Sequence, residues 1–382
     1  MNLREDQRDR VLPTYARADL TIVEGEGCRV RDDAGREYLD FVAGIAVVGL
    51  GHRHPAVSDA AHAQLDRLWH VSNLYWTDPM VRLAGLLSER LGGAQAFFCN
   101  SGAEANEAAF KVARKATGRD RIVALEGSFH GRTMGALSLT GQPSKREGFG
   151  SLVPGVAFAK PNDIESLEAA VSPGRELAAI LLEPVLGEGG IIPLDVDYLQ
   201  AAAEIARETG ALLWVDEVQT GVGRTGTFFA HEQAGIQPDL VTLAKGLGNG
   251  LPIGALLVRD GAATAIGPGD HASTYGGNPV AAAAGCAVVE TIDDAFLSHV
   301  TEMGALLRDG VTALPGVVEV RGPGLLIGAV LDRPVGPVVD ASRERGLLVL
   351  SAGPDVLRLT PPLVVREQEI EEALGTLAEV LA

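Results

Sequence analysis

Residues 240–258 read LVTLAKGLGNGLPIGALLV. Two apolar runs flank a glycine-rich turn, and a single lysine, Lys245, stands where the first run ends. Short apolar runs bounded by glycine predict strands buried on both faces, as in a mostly parallel sheet covered by helices on either side. A strand-end lysine is ordinarily a solvated terminus. Here Gly246, Gly248 and Gly250 let backbone or a ligand come close. A lysine held in a partly desolvated turn can shed its proton and form an imine with an aldehyde.

Outward from this stretch, strand, turn and helix alternate. Further strands are predicted at AQAFFCN (94–100), RIVALEG (121–127), LAAILLEP (177–184), ALLWVDE (211–217) and GALLVR (254–259). Helical patterns occupy 104–116, 196–210 and 279–292, and Pro55 opens a helix expected to reach His70. This alternation predicts one large α/β domain over 55–292. Short strands between Ile22 and Phe41, strands at 317–322, 325–331 and 356–362, and an amphipathic helix over 367–382 predict a smaller α+β domain. That domain is expected to be built from both chain ends, 1–54 and 293–382.

A chain of 382 residues has room for two domains of roughly 150 residues each. Its 46% hydrophobic and 21% charged content excludes a disordered chain. A net charge of -18 argues against nucleic acid as a partner, since phosphate backbones select basic surfaces. Cys28, Cys99 and Cys286 are too scattered for a disulfide framework or a zinc spacing, and read as free thiols in a reducing cytoplasm. The charged start and the interruption of every apolar run predict neither a signal peptide nor a membrane span. The protein is therefore expected to be cytoplasmic. His52 and His54 alternate in a loop and read as loop or capping residues; no metal is expected.

Gly221-Val-Gly223-Arg-Thr-Gly226 satisfies G-x-G-x-x-G and raises a dinucleotide-binding dehydrogenase as the competing enzyme class. The fingerprint must open a helix, but Thr227-Phe228-Phe229 follows, and Asp239 precedes its strand instead of ending one. A flexible glycine loop is the better reading.

Other segments add chemistry to Lys245. Asp216 ends an apolar strand, where open α/β sheets bind ligands. A buried carboxylate there needs a cation or strong donors, and a protonated pyridine nitrogen is such a partner. Its plainer role is to cap a turn. Ser101 and Glu104 fit a capping box, with Gly102 and Ala103 between them. The small residues and free amides of that helix start suit a phosphate, although many capped helices bind nothing. GSFHGRT (127–133) offers an aromatic face in Phe129 and a carboxylate-binding guanidinium in Arg132.

Taken in order, these segments resemble the class III, ornithine-type branch of the pyridoxal-phosphate aminotransferases, nearly end to end. Within that branch IAVVGLGHRHP, HVSNLY, NSGAEANE, DEVQTGVGRTG, LAKGLGNGLPIGA and STYGGNP look most similar to acetylornithine aminotransferases. The resemblance implies the fold type I architecture of pyridoxal-phosphate-dependent transferases. It also implies pyridoxal 5'-phosphate as cofactor, bonded to Lys245, with Asp216 on the ring nitrogen and Gln219 on the ring hydroxyl oxygen. Phe129 would stack on the ring, and Ser101, Gly102 and Ala103 would seat the phosphate. Ser273 and Thr274 would reach the phosphate or substrate of a neighbouring subunit, which implies a homodimer with shared active sites.

The implied reaction moves the side-chain amine of N2-acetyl-L-ornithine to 2-oxoglutarate, giving the semialdehyde and glutamate. Arg132 would bind a carboxylate, Arg358 the second carboxylate of glutamate, and Glu188 would mask Arg358 while the basic substrate is bound. An Arg–Glu pair is equally a structural salt bridge when read without the family. Ile45 stands where ornithine-using relatives carry tyrosine, which favours an acylated donor. Leu186 and Gly49 depart from the usual glutamine and asparagine near the substrate. They leave free ornithine, succinylated ornithine or diaminopimelate, 4-aminobutyrate and a carrier-bound lysine precursor as alternatives.

Overall fold

The computed structural model describes residues 10–172 and 177–382. Its central sheet has seven strands, in spatial order Gln95–Cys99, Gly254–Val258, Leu240–Leu243, Leu212–Asp216, Leu177–Leu182, Arg121–Leu125 and Val156–Ala159. The last five run parallel to one another. Gly254–Val258 is antiparallel to both its neighbours, so the strand predicted beside the lysine turn runs back against the rest. The edge strand Val156–Ala159 was not foreseen. It is short and only partly buried, which leaves a weak apolar signal.

Alternate residues of these strands face opposite helical layers, the reason their sequences are apolar throughout. Ile122 and Ala124 pack with Ala108, Ala109 and Phe110 of the helix Gly102–Thr117. Val123 and Leu125 pack with Tyr198, Leu199 and Ala202 of the helix Val196–Thr209. Both helices end on a left-handed glycine, Gly118 and Gly210, the usual stop where the chain must turn back without a Cβ clash.

The parallel order has one consequence for function. Cys99, Leu125, Leu182, Asp216 and Leu243 all end their strands at the same edge of the sheet, and Gly254 begins there opposite Cys99. The loops that follow therefore meet above that edge, where open α/β sheets hold ligands.

The two chain ends share another apolar core. Cys28, Leu39 and Phe41 pack with Val300, Leu307, Ile327, Leu359 and Leu377. Two four-stranded sheets flank it: Ile22–Glu26, Arg29–Asp32, Glu37–Asp40 and Leu347–Leu348, and Val317–Arg321, Ile327–Leu331, Val356–Leu359 and Leu350–Ser351. Among the described residues no helix is long and apolar enough to cross a membrane.

The helix from Pro55 stops at Leu65, short of His70. Gln64 Nε2 donates to Leu68 O, beyond the helix, at 2.9 Å, and Trp69 is exposed. His52 Nε2 pairs with Asp40 at 2.8 Å, and His54 begins the helix without a side-chain cap. Upstream, Ala43, Gly44, Ile45 and Ala46 all have positive φ, from 48° to 68°. A left-handed turn costs about 1–2 kcal/mol per L-residue. Asp40 Oδ1 offsets part of that cost by accepting from Val42 N and Ala43 N, both at 2.9 Å.

Close packing at the functional edge makes one glycine indispensable. A Cβ on Gly254 would lie 2.4 Å from Ser101 O and 2.8 Å from Cys99 Sγ. We expect Gly254→Ala to lower stability by about 2–3 kcal/mol. Gly375→Ala, in a helix and facing open space, is expected to raise it by about 0.5–1 kcal/mol. Urea midpoints of the two variants check both signs.

Candidate active site

The loops above the sheet edge enclose a cavity of about 410 Å³. Its lining includes Ser101, Gly102, Ala103, Phe129, Arg132, Glu188, Asp216, Gln219 and Lys245. These residues come from five separate segments, brought together by the sheet order described above.

Lys245 follows the strand Leu240–Leu243 and opens a tight helical turn, Lys245–Gly248, with a strained φ of 44°. Burial pulls its ammonium below the usual lysine range; the Glu188 carboxylate opposes that shift, and the Arg358 guanidinium adds to it. An amine sunk in this way is closer to its neutral, nucleophilic form.

Asp216 is 3% exposed. Its Oδ2 accepts from Asn106 Nδ2 at 2.8 Å and pairs with His130 Nδ1 at 2.7 Å, while Oδ1 accepts from Val218 N at 3.0 Å. Asn106 and His130 escaped the sequence reading. The available signals were modest: His130 lies between Phe129 and Arg132, and Asn106 sits one helical turn beyond the cap. His130 Nε2 and Asn106 Oδ1 are buried without a partner among the described residues.

The cap at Ser101 forms in part as predicted. Glu104 N donates to Ser101 Oγ at 3.2 Å. The Glu104 carboxylate reaches past Ser101 and accepts from the backbone and side-chain amides of Asn100, at 2.5 and 2.9 Å. The box is therefore displaced by one residue, because the chain bends sharply where the strand Gln95–Cys99 meets the helix. The amides of Gly102 and Ala103 lie in the helix's first turn, where no intrahelical acceptor exists.

Arg132 lies over the Phe129 ring, 5.5 Å from its centroid. Phe129 N donates at 2.8 Å to Glu183 Oε1, and Gly187 N donates at 3.4 Å to Glu183 Oε2. Glu183, also missed by the sequence reading, thus ties together two walls of the cavity. Burial pushes its carboxyl above the usual range; His130 opposes this, and Asp216 reinforces it.

Arg358 is buried and forms an ion pair with Glu188. Burial disfavours ionisation of Glu188, but the charge and hydrogen bond of Arg358 hold its carboxyl below the usual range, with Lys245 and Gln219 helping. Gln219 packs so closely on Gly187 that a Cβ there would meet its Oε1 at 2.1 Å.

Ser273 Oγ accepts from Asn100 Nδ2 at 3.2 Å and from Gly276 N at 3.1 Å. Thr274 is exposed, and neither residue lines the cavity of its own chain. The specificity positions also need adjustment. Ile45 is 40% exposed and lies outside the cavity lining, which Val47 joins instead. Leu186 is fully buried in the apolar cluster with Leu125 and Leu182, so its departure concerns packing and not substrate contact. Gly49 faces Leu363, whose N donates to Gly49 O at 2.6 Å. Gly221–Gly226 forms a run of turns and opens no helix, which removes the dinucleotide reading.

The profile of the family described as Aminotransferase class-III matches residues 13–381. The chain belongs to the class-III aminotransferases. It is 50% identical to a curated acetylornithine aminotransferase of Mycolicibacterium smegmatis, over 100% of this chain and 98% of that one. Its structure is similar to that of N-acetylornithine aminotransferase from Stenotrophomonas maltophilia, with a TM-score of 0.86 and 37% identity, over 99% and 98% of the two chains. An amine transaminase from an uncultivated Pseudomonas species, solved in its PLP-bound form, is similar at a TM-score of 0.89 and 30% identity, over 97% and 98%.

The chain is an aminotransferase of the fold type I class, and pyridoxal 5'-phosphate is its cofactor. The cavity suits that group. Gln219 Oε1 is buried with no partner among the described residues. At Gly102, in the helix's first turn, a Cβ would meet Val218 at 2.8 Å, so only glycine fits there without displacing that side chain.

The shift of Glu183 has a pH signature in the apoprotein. The unfolded chain releases this proton near the ordinary glutamate value of 4.5, while the folded chain keeps it to higher pH. Stability is therefore fullest at low pH and falls as pH rises through the folded value. We expect thermal midpoints to decline between about pH 5 and 7 in the parent, and to decline less in Glu183→Gln. Parallel slopes in the two proteins would show that Glu183 is ionised throughout.

Proposed function

We propose that this aminotransferase takes the side-chain amine of N2-acetyl-L-ornithine and delivers it to 2-oxoglutarate. The observation that carries the reading is the Arg358–Glu188 ion pair, whose Glu188 lines the same cavity as Lys245 and Asp216. An enzyme with two alternating substrates needs a cation that can be exposed for a dicarboxylate and neutralised for a basic donor. Glu188 is partly solvent-accessible, whereas Arg358 is buried. The carboxylate can therefore swing away while the guanidinium stays fixed. The printed names of the relatives from Mycolicibacterium smegmatis and Stenotrophomonas maltophilia support the acetylated donor.

When bound, pyridoxal phosphate supplies an aldehyde for the amine and a ring that draws electrons from the adjacent carbon. The protein groups do the rest. Lys245, whose ammonium burial pulls below the usual lysine range, would hold the cofactor aldehyde and would carry the proton between the reacting carbons. Asp216, oriented by Asn106 and His130, would hold a proton on the ring nitrogen. The amides of Gly102 and Ala103, with Ser101, would seat the phosphate, and Gln219 would bond the ring oxygen. Phe129 would cover the ring, and Arg132 would take a substrate carboxylate.

The site is completed by a second copy, through Ser273 and Thr274 of the neighbouring subunit. Exposed Trp69, Leu74, Tyr75, Trp76 and Tyr275 support that homodimer, since so many large apolar side chains in one region are unusual on a monomer. The chain divides into a large domain, 55–292, and a smaller one from 1–54 and 293–382, of which residues 1–9 and 173–176 lie outside the described residues.

Single-turnover reactions with the pyridoxal form test the donor. Acetylornithine is expected to react at least about 10-fold faster than ornithine or 4-aminobutyrate, the scale on which one misplaced or unmatched group discriminates. Equal rates for ornithine and acetylornithine would overturn the assignment. Lys245→Ala is expected to slow every donor by at least about 10²-fold, and full activity in that variant would remove the lysine from the mechanism.

A further inference from the structure

The turn that carries Lys245 is held from its far end by a side chain to which no role has yet been given. Asn249 closes the turn in the left-handed region, φ 45°, with its N donating to Gly246 O at 3.2 Å. Its side-chain amide crosses to a segment remote in sequence. Oδ1 accepts from Leu50 N at 2.8 Å, and Nδ2 donates to Gly51 O at 3.1 Å. Both ends of the amide are used, much as a neighbouring strand would use them. An asparagine serving only as a left-handed turn residue would need neither bond.

The segment it grips is a junction. Val47, just before it, lines the cavity. Gly49 O accepts from Leu363 N at 2.6 Å, and Leu363 lies shortly after Arg358 on the same stretch of chain. Gly27 and His52 exchange backbone hydrogen bonds at 2.9 and 3.0 Å on the other side. One short run, Val48–Gly51, is thus bonded to the turn bearing Lys245 and to the chain bearing Arg358. Two strained residues bracket the lysine turn, Lys245 at φ 44° and Asn249 at φ 45°. Such strain persists only where surrounding contacts fix the backbone.

We propose that Asn249 is a positioning residue: its side-chain amide clasps the lysine turn to Val48–Gly51, and so fixes the Lys245 amine relative to the substrate end held by Arg358. The catalytic consequence rests on the aminotransferase reading, whereas the clasp does not. Misplacing a reacting group by about 1 Å can cost about 10²-fold in rate, so a clasp of two hydrogen bonds is enough to matter.

Asn249→Gly is the cleanest probe, because glycine accepts the positive φ and removes only the amide. Asn249→Asp also tolerates that backbone, keeps the acceptor for Leu50 N and loses the donor to Gly51 O. Hydrogen exchange over residues 47–52 is measured in the full-length protein without cofactor. With pyridoxal phosphate added, kcat and KM for 2-oxoglutarate and the pH titration of the visible absorbance follow. In Asn249→Gly we expect exchange at Leu50 to rise at least about 10-fold and kcat/KM to fall about 10-fold. The absorbance titration is expected to shift while the urea midpoint stays near that of the parent. Asn249→Asp should fall between the two. Unchanged exchange at Leu50 overturns the clasp. Faster exchange with parental kcat/KM and titration overturns its positioning role, as does a rate loss explained wholly by global destabilisation in both variants. If the parent protein shows no transamination, the enzyme reading fails, and the exchange data still decide the clasp.

Discussion

A carboxylate buried at the end of a strand constrains everything around it. A buried carboxylate needs hydrogen-bond partners, and Asp216 draws them from two other elements: Asn106 from the helix that starts at Gly102, and His130 from the loop after Arg121–Leu125. Those bonds tie the helix start, the Phe129 loop and the central strand into one rigid frame. Gly102, Phe129 and Asp216 are therefore positioned together. Glu183 extends the frame through Phe129 N and Gly187 N to the loop of Glu188.

Against this frame stands a more strained half of the site. Lys245 and Asn249 hold left-handed backbones, as do Ala43, Ile45 and Ala46 across the junction. Non-glycine residues adopt such conformations at a cost of about 1–3 kcal/mol each. The strain is concentrated where the lysine turn meets the segment leading to Val47. It is offset by Asp40 beneath the left-handed turn and by the hydrogen bonds of Asn249. The acid side of the cavity is set by burial and charge, and the lysine side by backbone geometry.

Much of the fold was legible in the sequence, because buried strands leave continuous apolar runs and left-handed helix stops require glycine. LAAILL, LLWVD and GALLV announced themselves; Val156–Ala159, partly exposed, did not. That Gly254–Val258 runs antiparallel was hidden, since period and composition do not encode direction. Lys245, Asp216, Gln219, Phe129 and Glu188 line one cavity because their motifs flank strand ends, a position the sequence displays, and Arg358 is joined to them by its ion pair with Glu188. Asn106, His130, Glu183 and Asn249 were missed for a common reason. Each acts on a partner far away in sequence, and nothing local distinguishes it from an ordinary helix, loop or turn residue. Leu186 shows the converse. It looked like a substrate-side departure and lies in the core, because alternation along a strand decides which way a side chain faces.

At the sheet edge Lys245, its ammonium pulled by burial below the usual lysine range, is expected to be the residue that bonds pyridoxal phosphate. The most direct test is to load the protein with the cofactor, reduce it with borohydride, digest it and map the pyridoxyl label by mass spectrometry. The account predicts a visible band bleached by the reductant and a single labelled peptide, with the label on Lys245. A label on another lysine, or none with Lys245 intact, would contradict it.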